Sequence, residues 1–177
     1  MSDEQERSRL KELVRDVPDF PTPGIVFKDI TPLLADGRAF ARVVDLIADR
    51  FSGLGVNRVL GIEARGFIVA APVANRLHAG FVPARKNGKL PWQTIGVDYE
   101  LEYGKERLEV HSDAVASGDR VLIVDDVLAT GGTAFAAADA VARLGAEVVG
   151  IGVIIELAFL NGRSKLGGID LYSILTF

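Results

Sequence analysis

Two adjacent carboxylates follow an uninterrupted aliphatic run near the middle of the chain. Residues 121–124 read VLIV, and Asp125 and Asp126 come directly after them. Such a run is typical of a central strand in a parallel sheet, which is covered on both faces. Ligands of these sheets bind beyond the carboxyl ends of the strands. Because carboxylates accept hydrogen bonds, the pair is suited to hold the vicinal hydroxyls of a sugar.

A glycine-containing loop follows and leads into a predicted helix. Two successive glycines allow a tight turn in which consecutive backbone N–H groups converge on one anion. Two threonine hydroxyls and the positive end of the helix dipole add to that attraction. The predicted phosphate-binding residues are Ala129, Thr130, Gly131, Gly132 and Thr133. The aspartate pair alone is explained as a strand end, and the glycine pair alone as the start of a helix. Together, at this spacing, the two pairs favour a sugar-phosphate site.

The composition is that of an ordinary globular protein. The 177 residues suffice for one domain, and the formal net charge is −4. A nucleic-acid-binding surface normally has a basic surplus, so no nucleic-acid partner is expected. The lack of cysteine excludes disulfides, thiol nucleophiles and cysteine-ligated metals. His78 and His111 do not have the spacing of a metal pair.

No membrane or targeting segment is predicted. The N-terminal sequence MSDEQERSRL is charged and lacks the apolar core of a signal peptide. The longest apolar run, 148–155, is far shorter than the roughly 18 residues that span a bilayer. We therefore expect no membrane partner and a cytoplasmic location, which the lack of cysteine also favours.

The hydrophobic pattern alternates between strands and helices. The predicted helices are 4–16, 39–52, one from Gly66 to about His78, and 132–144; the predicted strands are 58–62, 81–84, 120–124, 148–155 and 171–175. Residues 93–110 are expected to form extended segments, and the three prolines of 17–24 predict irregular structure. The alternation predicts an α/β fold with a mostly parallel sheet and helices on both faces.

The block 121–133 resembles the phosphoribosyl-pyrophosphate motif of type I phosphoribosyltransferases. FPTPGIVFKDITPLL, GIEARGF, ARKNGKLP and YELEYGKERLEVH resemble, in order, the blocks of the members that use adenine. The similarity extends from Val17 to the C-terminus. It implies a single α/β domain whose mostly parallel, twisted sheet is flanked by helices. It also implies a small N-terminal hood (about 1–35), a core (about 36–177) and a mobile catalytic loop.

The resemblance implies a glycosyl transfer. A purine nitrogen displaces pyrophosphate from C1 of phosphoribosyl pyrophosphate, so adenine yields AMP and pyrophosphate in purine salvage. Cations must neutralise the leaving group, and Mg²⁺ is implied as a cofactor that the substrate itself largely holds, without direct protein ligands. The implied pyrophosphate-binding residues are Glu63, Ala64, Arg65, Arg85, Lys86 and Lys89. The family is typically homodimeric.

Arg65 stands out among these cations because it directly follows a predicted buried strand. Gly66 would let the chain come close to a ligand there. In the family this loop receives pyrophosphate and often contains a cis peptide bond, which would here be Glu63–Ala64. By composition alone, the cations of 85–89 are equally well explained as a solvated turn.

The polar stretch 98–107 resembles the mobile catalytic loop of the family. The implied catalytic residues are Glu102, Tyr103 and Arg65. A closed loop excludes water, which would otherwise attack the same sugar carbon. Glu102 is expected to exchange a proton with the purine as the new bond forms. Without the resemblance, an exposed charge in a hairpin would be the simpler interpretation.

Base recognition is assigned to Val26, Phe27 and Lys28. An aromatic ring can stack on a purine, and extended backbone offers both a donor and an acceptor. A backbone carbonyl can accept from the exocyclic amine of adenine but cannot satisfy a 6-oxo group. Phe27 could instead be a core residue. Lys28 stands where the family frequently has arginine, a change that a main-chain contact should tolerate.

Two other functions remain open at this point. The enzyme could use another base, such as xanthine, guanine or orotate. The chain could also be a regulator that senses phosphoribosyl pyrophosphate and controls transcription. That function requires a DNA-binding unit, and the segment before the resemblance is too short for a winged helix. The sequence pI near 5.2 also disfavours it.

Overall fold

The computed structural model describes residues 3–100 and 104–177. They fall into two compact units, Met1–Val43 and Val44–Phe177. Helix α3 (Gly37–Phe51) contributes residues to both. Within the described ranges, no helix is both long and apolar enough to cross a membrane.

The first unit contains a helix, a two-stranded hairpin and a short second helix. These are α1 (Asp3–Glu12), β1 (Arg15–Pro18), β2 (Val26–Asp29) and α2 (Thr31–Ala35), followed by the start of α3. Helix α1 ends at Glu12, earlier than predicted. The expectation that 17–24 is irregular is wrong for Val17 and Pro18, which pair with β2. Proline is tolerated there because edge strands need not use every N–H.

The second unit is built on a seven-stranded sheet in the order β5-β6-β4-β3-β7-β8-β9. Its elements are β3 (Arg58–Ile62), α4 (Arg65–Arg76), β4 (Gly80–Lys86), β5 (Thr94–Glu100), β6 (Lys105–His111), β7 (Arg120–Leu128), α5 (Gly132–Arg143), β8 (Glu147–Glu156) and β9 (Leu171–Thr176). Strands β4, β3, β7, β8 and β9 are parallel, whereas β5 and β6 are antiparallel to their neighbours. The predicted mostly parallel α/β sheet is therefore confirmed.

Helix α3 packs onto β8 over two glycines. A Cβ at Gly150 would overlap Cε1 of Phe51, and a Cβ at Gly152 would lie 2.8 Å from Cγ2 of Ile47. Phe51 and Ile47 are both fully buried. The absence of side chains on this face of β8 thus lets the helix carry its apolar residues directly onto the sheet.

Strand β7 positions the two carboxylates and is longer than predicted. It continues to Leu128, so Asp125 and Asp126 lie within the strand and not beyond its end. Its pairing with β3 stops at Val124, opposite Gly61, while its pairing with β8 continues. The hydrophobic run ends where the neighbour β3 ends, which is why it predicted an early strand end. The carboxylates therefore project at the carboxyl edge of β3.

Replacing Gly150 by alanine is expected to reduce the free energy of unfolding by about 1–3 kcal/mol, a typical cost of overpacking a core. The added methyl group would collide with the ring of Phe51. Gly53→Ala is a matched control, since a Cβ there meets no heavy atom of the described residues within 4 Å. Urea unfolding measures both variants. Equal stabilities would contradict this packing of α3 on β8.

Candidate active site

Asp125 and Asp126 form a closely packed pair on β7. The backbone N–H of Asp126 donates to Oδ1 of Asp125 at 2.8 Å. Nε of Arg65 lies 2.7 Å from Oδ2 of Asp126, but its N–H is not directed at that oxygen, so the contact is an ion pair and not a hydrogen bond. The side chain of Asp126 is only 7% exposed. The side chain of Arg65 is 42% exposed, so solvent partly screens this ion pair.

Gly66 allows helix α4 to begin directly against the carboxylates. A Cβ at this position would lie 2.6 Å from Oδ1 of Asp125 and 3.2 Å from its Cα. Any side chain would thus push the first turn of α4 away from β7. The close approach at Gly66 is thus to β7, and the expected approach to a ligand stays a prediction. The Glu63–Ala64 peptide bond, just before α4, is cis, as the resemblance implies.

The environment of Asp125 disfavours its charged form. Burial raises the pKa of Asp125 well above its usual value, and the negative charge of Asp126 raises it further. The hydrogen bond from the Asp126 N–H and the charge of Arg65 oppose this shift. A sugar hydroxyl can donate to an ionised carboxylate or accept from a protonated one. The pair can therefore hold a diol in either protonation state.

Residues 129–133, here called the phosphate loop, follow β7 and include the first two residues of α5. Gly131 is the residue that caps the helix, with a φ of 80° that favours glycine. The loop borders a cavity of about 130 Å³ that Asp125 and Val153 also line. The N-terminus of α5 contributes backbone N–H groups and the positive end of its dipole. The structure thus brings the phosphate loop and one carboxylate to the same cavity.

A buried tyrosine missed by the sequence analysis connects the phosphate loop to β6. The hydroxyl of Tyr99 donates to Oε2 of Glu106 at 2.8 Å, and the hydroxyl of Thr133 hydrogen-bonds to the same phenol. Burial, together with Glu106, raises the pKa of Tyr99 to about 12. Tyr99 therefore stays neutral and keeps donating. The alternation of Val97 and Tyr99 with Asp98 and Glu100 could have indicated that Tyr99 faces inward, but nothing local indicates its partners.

The expected pyrophosphate-binding cations are paired with carboxylates. Nε of Arg85 lies 3.1 Å from Oε2 of Glu63, and Nζ of Lys89 contacts the other oxygen. The backbone N–H of Lys86 also donates to Glu63, at 3.1 Å, while its Nζ lies 2.7 Å from Oε1 of Glu106. The structure therefore brings 85–89 next to the loop that contains Glu63, as the resemblance implies.

These pairings keep both glutamates ionised. Burial opposes ionisation of Glu63, but its hydrogen bonds from Lys89, Lys86 and Arg85 outweigh burial and lower its pKa. The hydrogen bond from Lys86 is the largest cause of the lowered pKa of Glu106. Both carboxylates thus act as counterions for a cationic cluster.

Not every predicted site residue can be placed in this arrangement. Glu102 and Tyr103 lie outside the described residues. Val26, Phe27 and Lys28 belong to the first unit, where they form most of β2. The expected extended backbone is present there, and the ring of Phe27 packs edge-on against Phe20 at 5.2 Å. Among residues 3–100 and 104–177, no group of three or more acidic or histidine side chains could hold a metal ion.

Comparisons with known proteins find a matching family model and similar enzymes. A family model described as a phosphoribosyl transferase domain matches residues 31–167. Adenine phosphoribosyltransferase of Anaeromyxobacter dehalogenans (strain 2CP-C) is 58% identical over 164 residues, covering 93% of this chain and 95% of the relative.

Solved structures of the same enzyme from other organisms superpose closely on this chain. That from Rhodothermus marinus gives a TM-score of 0.94 at 47% identity and covers 98% of this chain and 99% of its own. That from Saccharomyces cerevisiae, complexed with adenine and an imino-altritol bisphosphate, gives 0.91 at 36% identity, with 97% and 99% covered.

Replacing Asp125 by asparagine is expected to stabilise the ligand-free protein at pH 8, because it removes a desolvated charge beside Asp126. The pKa of Asp125 is higher in the folded protein than in the unfolded chain, so its ionisation destabilises the native state when the pH lies above the folded-state pKa. This destabilisation decreases as the pH falls towards 3.8, the usual pKa of an aspartate. A gain of roughly 1 kcal/mol would raise Tm by about 2–4 °C. The gain should shrink between pH 8 and pH 4.

Asp113→Asn is the matched control, since Asp113 is exposed and its replacement should give no such pH-dependent gain. Calorimetry should show ribose 5-phosphate binding weakened about tenfold or more in the Asp125 variant only. A gain in Tm that is equal at both pH values would contradict charge crowding at Asp125.

Proposed function

The chain belongs to the phosphoribosyltransferase family, and we propose that it transfers the 5-phosphoribosyl group of phosphoribosyl pyrophosphate to adenine, giving AMP and pyrophosphate. The observation that carries the proposal is one cavity bordered by Asp125 and the phosphate loop, with Arg65 paired to the neighbouring Asp126. Such a site offers acceptors for a diol beside donors for a phosphate. The choice of adenine is supported by the names of the similar enzymes.

In this proposal the substrate is held at two points. Asp125 and Asp126 accept hydrogen bonds from the two ribose hydroxyls, and the phosphate loop with the start of α5 binds the 5′-phosphate. Fixing both ends of the sugar orients C1 for attack. The entropy cost of that orientation is then met when the substrate binds, which lowers the barrier of the reaction itself.

Bond exchange takes place at C1 of the ribose. The bond from C1 to the pyrophosphate oxygen breaks as the adenine nitrogen bonds to the same carbon. Arg65, Arg85, Lys86 and Lys89 take up the negative charge on the leaving group. Before substrate arrives, Glu63, Glu106 and Asp126 neutralise these cations, so pyrophosphate competes with protein carboxylates for them.

Mg²⁺ is proposed as the cofactor. Asp125 and Asp126 present oxygen donors of the kind that Mg²⁺ prefers, but Asp126 already pairs with Arg65. We therefore assign most of the metal's ligands to the substrate. When bound, Mg²⁺ would neutralise part of the pyrophosphate charge.

Glu102 and Tyr103 are proposed to act on the base and on closure of the site. As the purine nitrogen bonds to C1 it loses its proton, which Glu102 accepts. Tyr103 covers the sugar and excludes water.

The base is proposed to contact the backbone of 26–28. Within its own unit, this segment is extended and the side chain of Val26 is half-exposed. Main-chain groups of an extended segment can supply the donor and acceptor that adenine requires. Phe27 is proposed to stack on the purine ring.

One assay tests the proposed function against its alternatives. The protein is mixed with phosphoribosyl pyrophosphate, with and without Mg²⁺, and each of adenine, hypoxanthine, xanthine, guanine and orotate is offered while pyrophosphate release is measured. We expect turnover only with adenine, and only when Mg²⁺ is present. Preference for an oxopurine or orotate would overturn the choice of base, and ligand binding without turnover with any base would overturn the enzymatic function.

Glu102→Gln and Glu102→Ala are expected to lower kcat by about 10²–10⁴, the usual contribution of a positioned general base, with a smaller effect on the KM for adenine. Glu147→Gln is the matched control. Glu147 is the first residue of β8, so it lies at the amino edge of the parallel strands, whereas the phosphate loop lies at their carboxyl edge. Full turnover by both Glu102 variants would show that this residue does not transfer the proton.

We also propose that the chain is a homodimer that works in the cytoplasm. Ile68, in the first turn of α4, is 45% exposed and Phe81, near the start of β4, is 39% exposed; exposed apolar side chains of this kind are suited to contact a second copy. The lack of cysteine favours a reducing compartment such as the cytoplasm. Sedimentation of the purified protein and fractionation of cells test the two proposals.

A further inference from the structure

The phosphate loop rests on the backbone of a later turn. A Cβ at Gly131 would overlap the carbonyl oxygen of Gly162, and a Cβ at Gly162 would overlap the carbonyl oxygen of Ala129 and lie 2.9 Å from the nitrogen of Gly131. Both positions must therefore be glycine for the two segments to touch. The phosphate loop itself has high conformational freedom because of its two glycines, so this contact limits where its N–H groups can point.

The turn that contains Gly162 is fixed to the sheet by a bidentate ion pair. This turn is the 3₁₀-helix Gly162–Leu166. Nε and Nη2 of Arg163 donate to the two carboxylate oxygens of Glu156, at 2.9 and 2.6 Å. Nη1 of Arg163 also donates to the carbonyl of Leu171, at 3.2 Å. The residue directly after Gly162 is thus tied to both β8 and β9.

Glu156 is built to hold this arginine. It is the last residue of β8, its side chain is 10% exposed, and Ser173 donates to its Oε2 at 2.8 Å. The hydrogen bond from Arg163 is the main reason that its pKa lies below the usual value. Forked, charge-assisted pairs of this kind define direction as well as distance, so the pair sets the orientation of the turn.

We propose that Glu156 and Arg163 are positioning residues for the 5′-phosphate. They act through Gly162, which supports the phosphate loop from behind. The inference rests on the proposed function, in which this loop binds the 5′-phosphate. Binding sites need a supporting shell that holds their hydrogen-bond donors in place, so a phosphate loop that loses its support should bind the 5′-phosphate less tightly. Neither residue touches the substrate in this proposal.

The test compares ligands that differ in the 5′-phosphate. Glu156→Gln and Arg163→Lys remove a charge or the forked geometry, and Gly162→Ala disturbs the backbone contact directly. For each we expect the Kd of AMP and the KM of phosphoribosyl pyrophosphate to rise about 10–100-fold. The Kd of pyrophosphate, the KM of adenine and kcat should stay within about twofold.

Two matched controls separate positioning from general loss of stability. Glu147→Gln removes a carboxylate from the other end of β8, where it pairs with Arg120 at 2.5 Å. Gly53→Ala adds a methyl group in open space. Both should keep all five binding and kinetic constants at wild-type values. Thermal unfolding of every variant confirms that the assays use folded protein.

Each outcome decides the inference. A selective loss of AMP and phosphoribosyl pyrophosphate binding in folded variants supports it, and Gly162→Ala supplies that result even where an ion-pair variant does not fold. Wild-type AMP binding in folded Glu156→Gln and Gly162→Ala proteins overturns it. So does an equal weakening of AMP, pyrophosphate and adenine. A wild-type protein that binds neither AMP nor phosphoribosyl pyrophosphate refutes the proposed function itself, and this inference with it.

Discussion

The adjacent carboxylates of Asp125 and Asp126 impose the constraint on which the rest of the site depends. Two acids on consecutive residues in a desolvated position repel each other, so a cation must be close, and Arg65 supplies it. Arg65 can reach Asp126 because α4 begins against β7, where only glycine fits at position 66. The path of the chain from β3 into α4 is therefore determined by charges on a neighbouring strand.

The same requirement for charge balance extends to the cationic cluster. Arg85, Lys86 and Lys89 form this cluster and face the carboxylates of Glu63 and Glu106. In the ligand-free protein, these carboxylates offset the repulsion between the neighbouring cations. A polyanion that enters the cluster exchanges partners with the carboxylates, so its net gain is smaller than the number of cations suggests. Weak net binding suits a group that must leave after each turnover.

Much of the architecture follows from local sequence patterns. The parallel strands were predicted because buried strands are continuously apolar, and β3 was placed at its observed bounds. The predicted end of β7 is wrong because the hydrophobic pattern marks where burial ends, whereas backbone pairing with β8 continues. Strand β1 is not predicted, because its first two residues fall in the predicted helix 4–16 and its last two in the proline-containing segment 17–24. In each case, a pairing partner distant in sequence decided the outcome.

The residues of the site fall into two groups: those proposed to contact the ligand, and those that support the contacting residues. Asp125, Asp126 and the phosphate loop are contiguous, so their chemistry can be recognised from thirteen residues. Tyr99 and Gly162 reach the loop only through the sheet, from β5 and from beyond β8. No local pattern identifies them, since a buried phenol and a glycine in a turn have many other uses. The contiguous motif thus specifies which atoms face the ligand, and residues distant in sequence specify where those atoms lie.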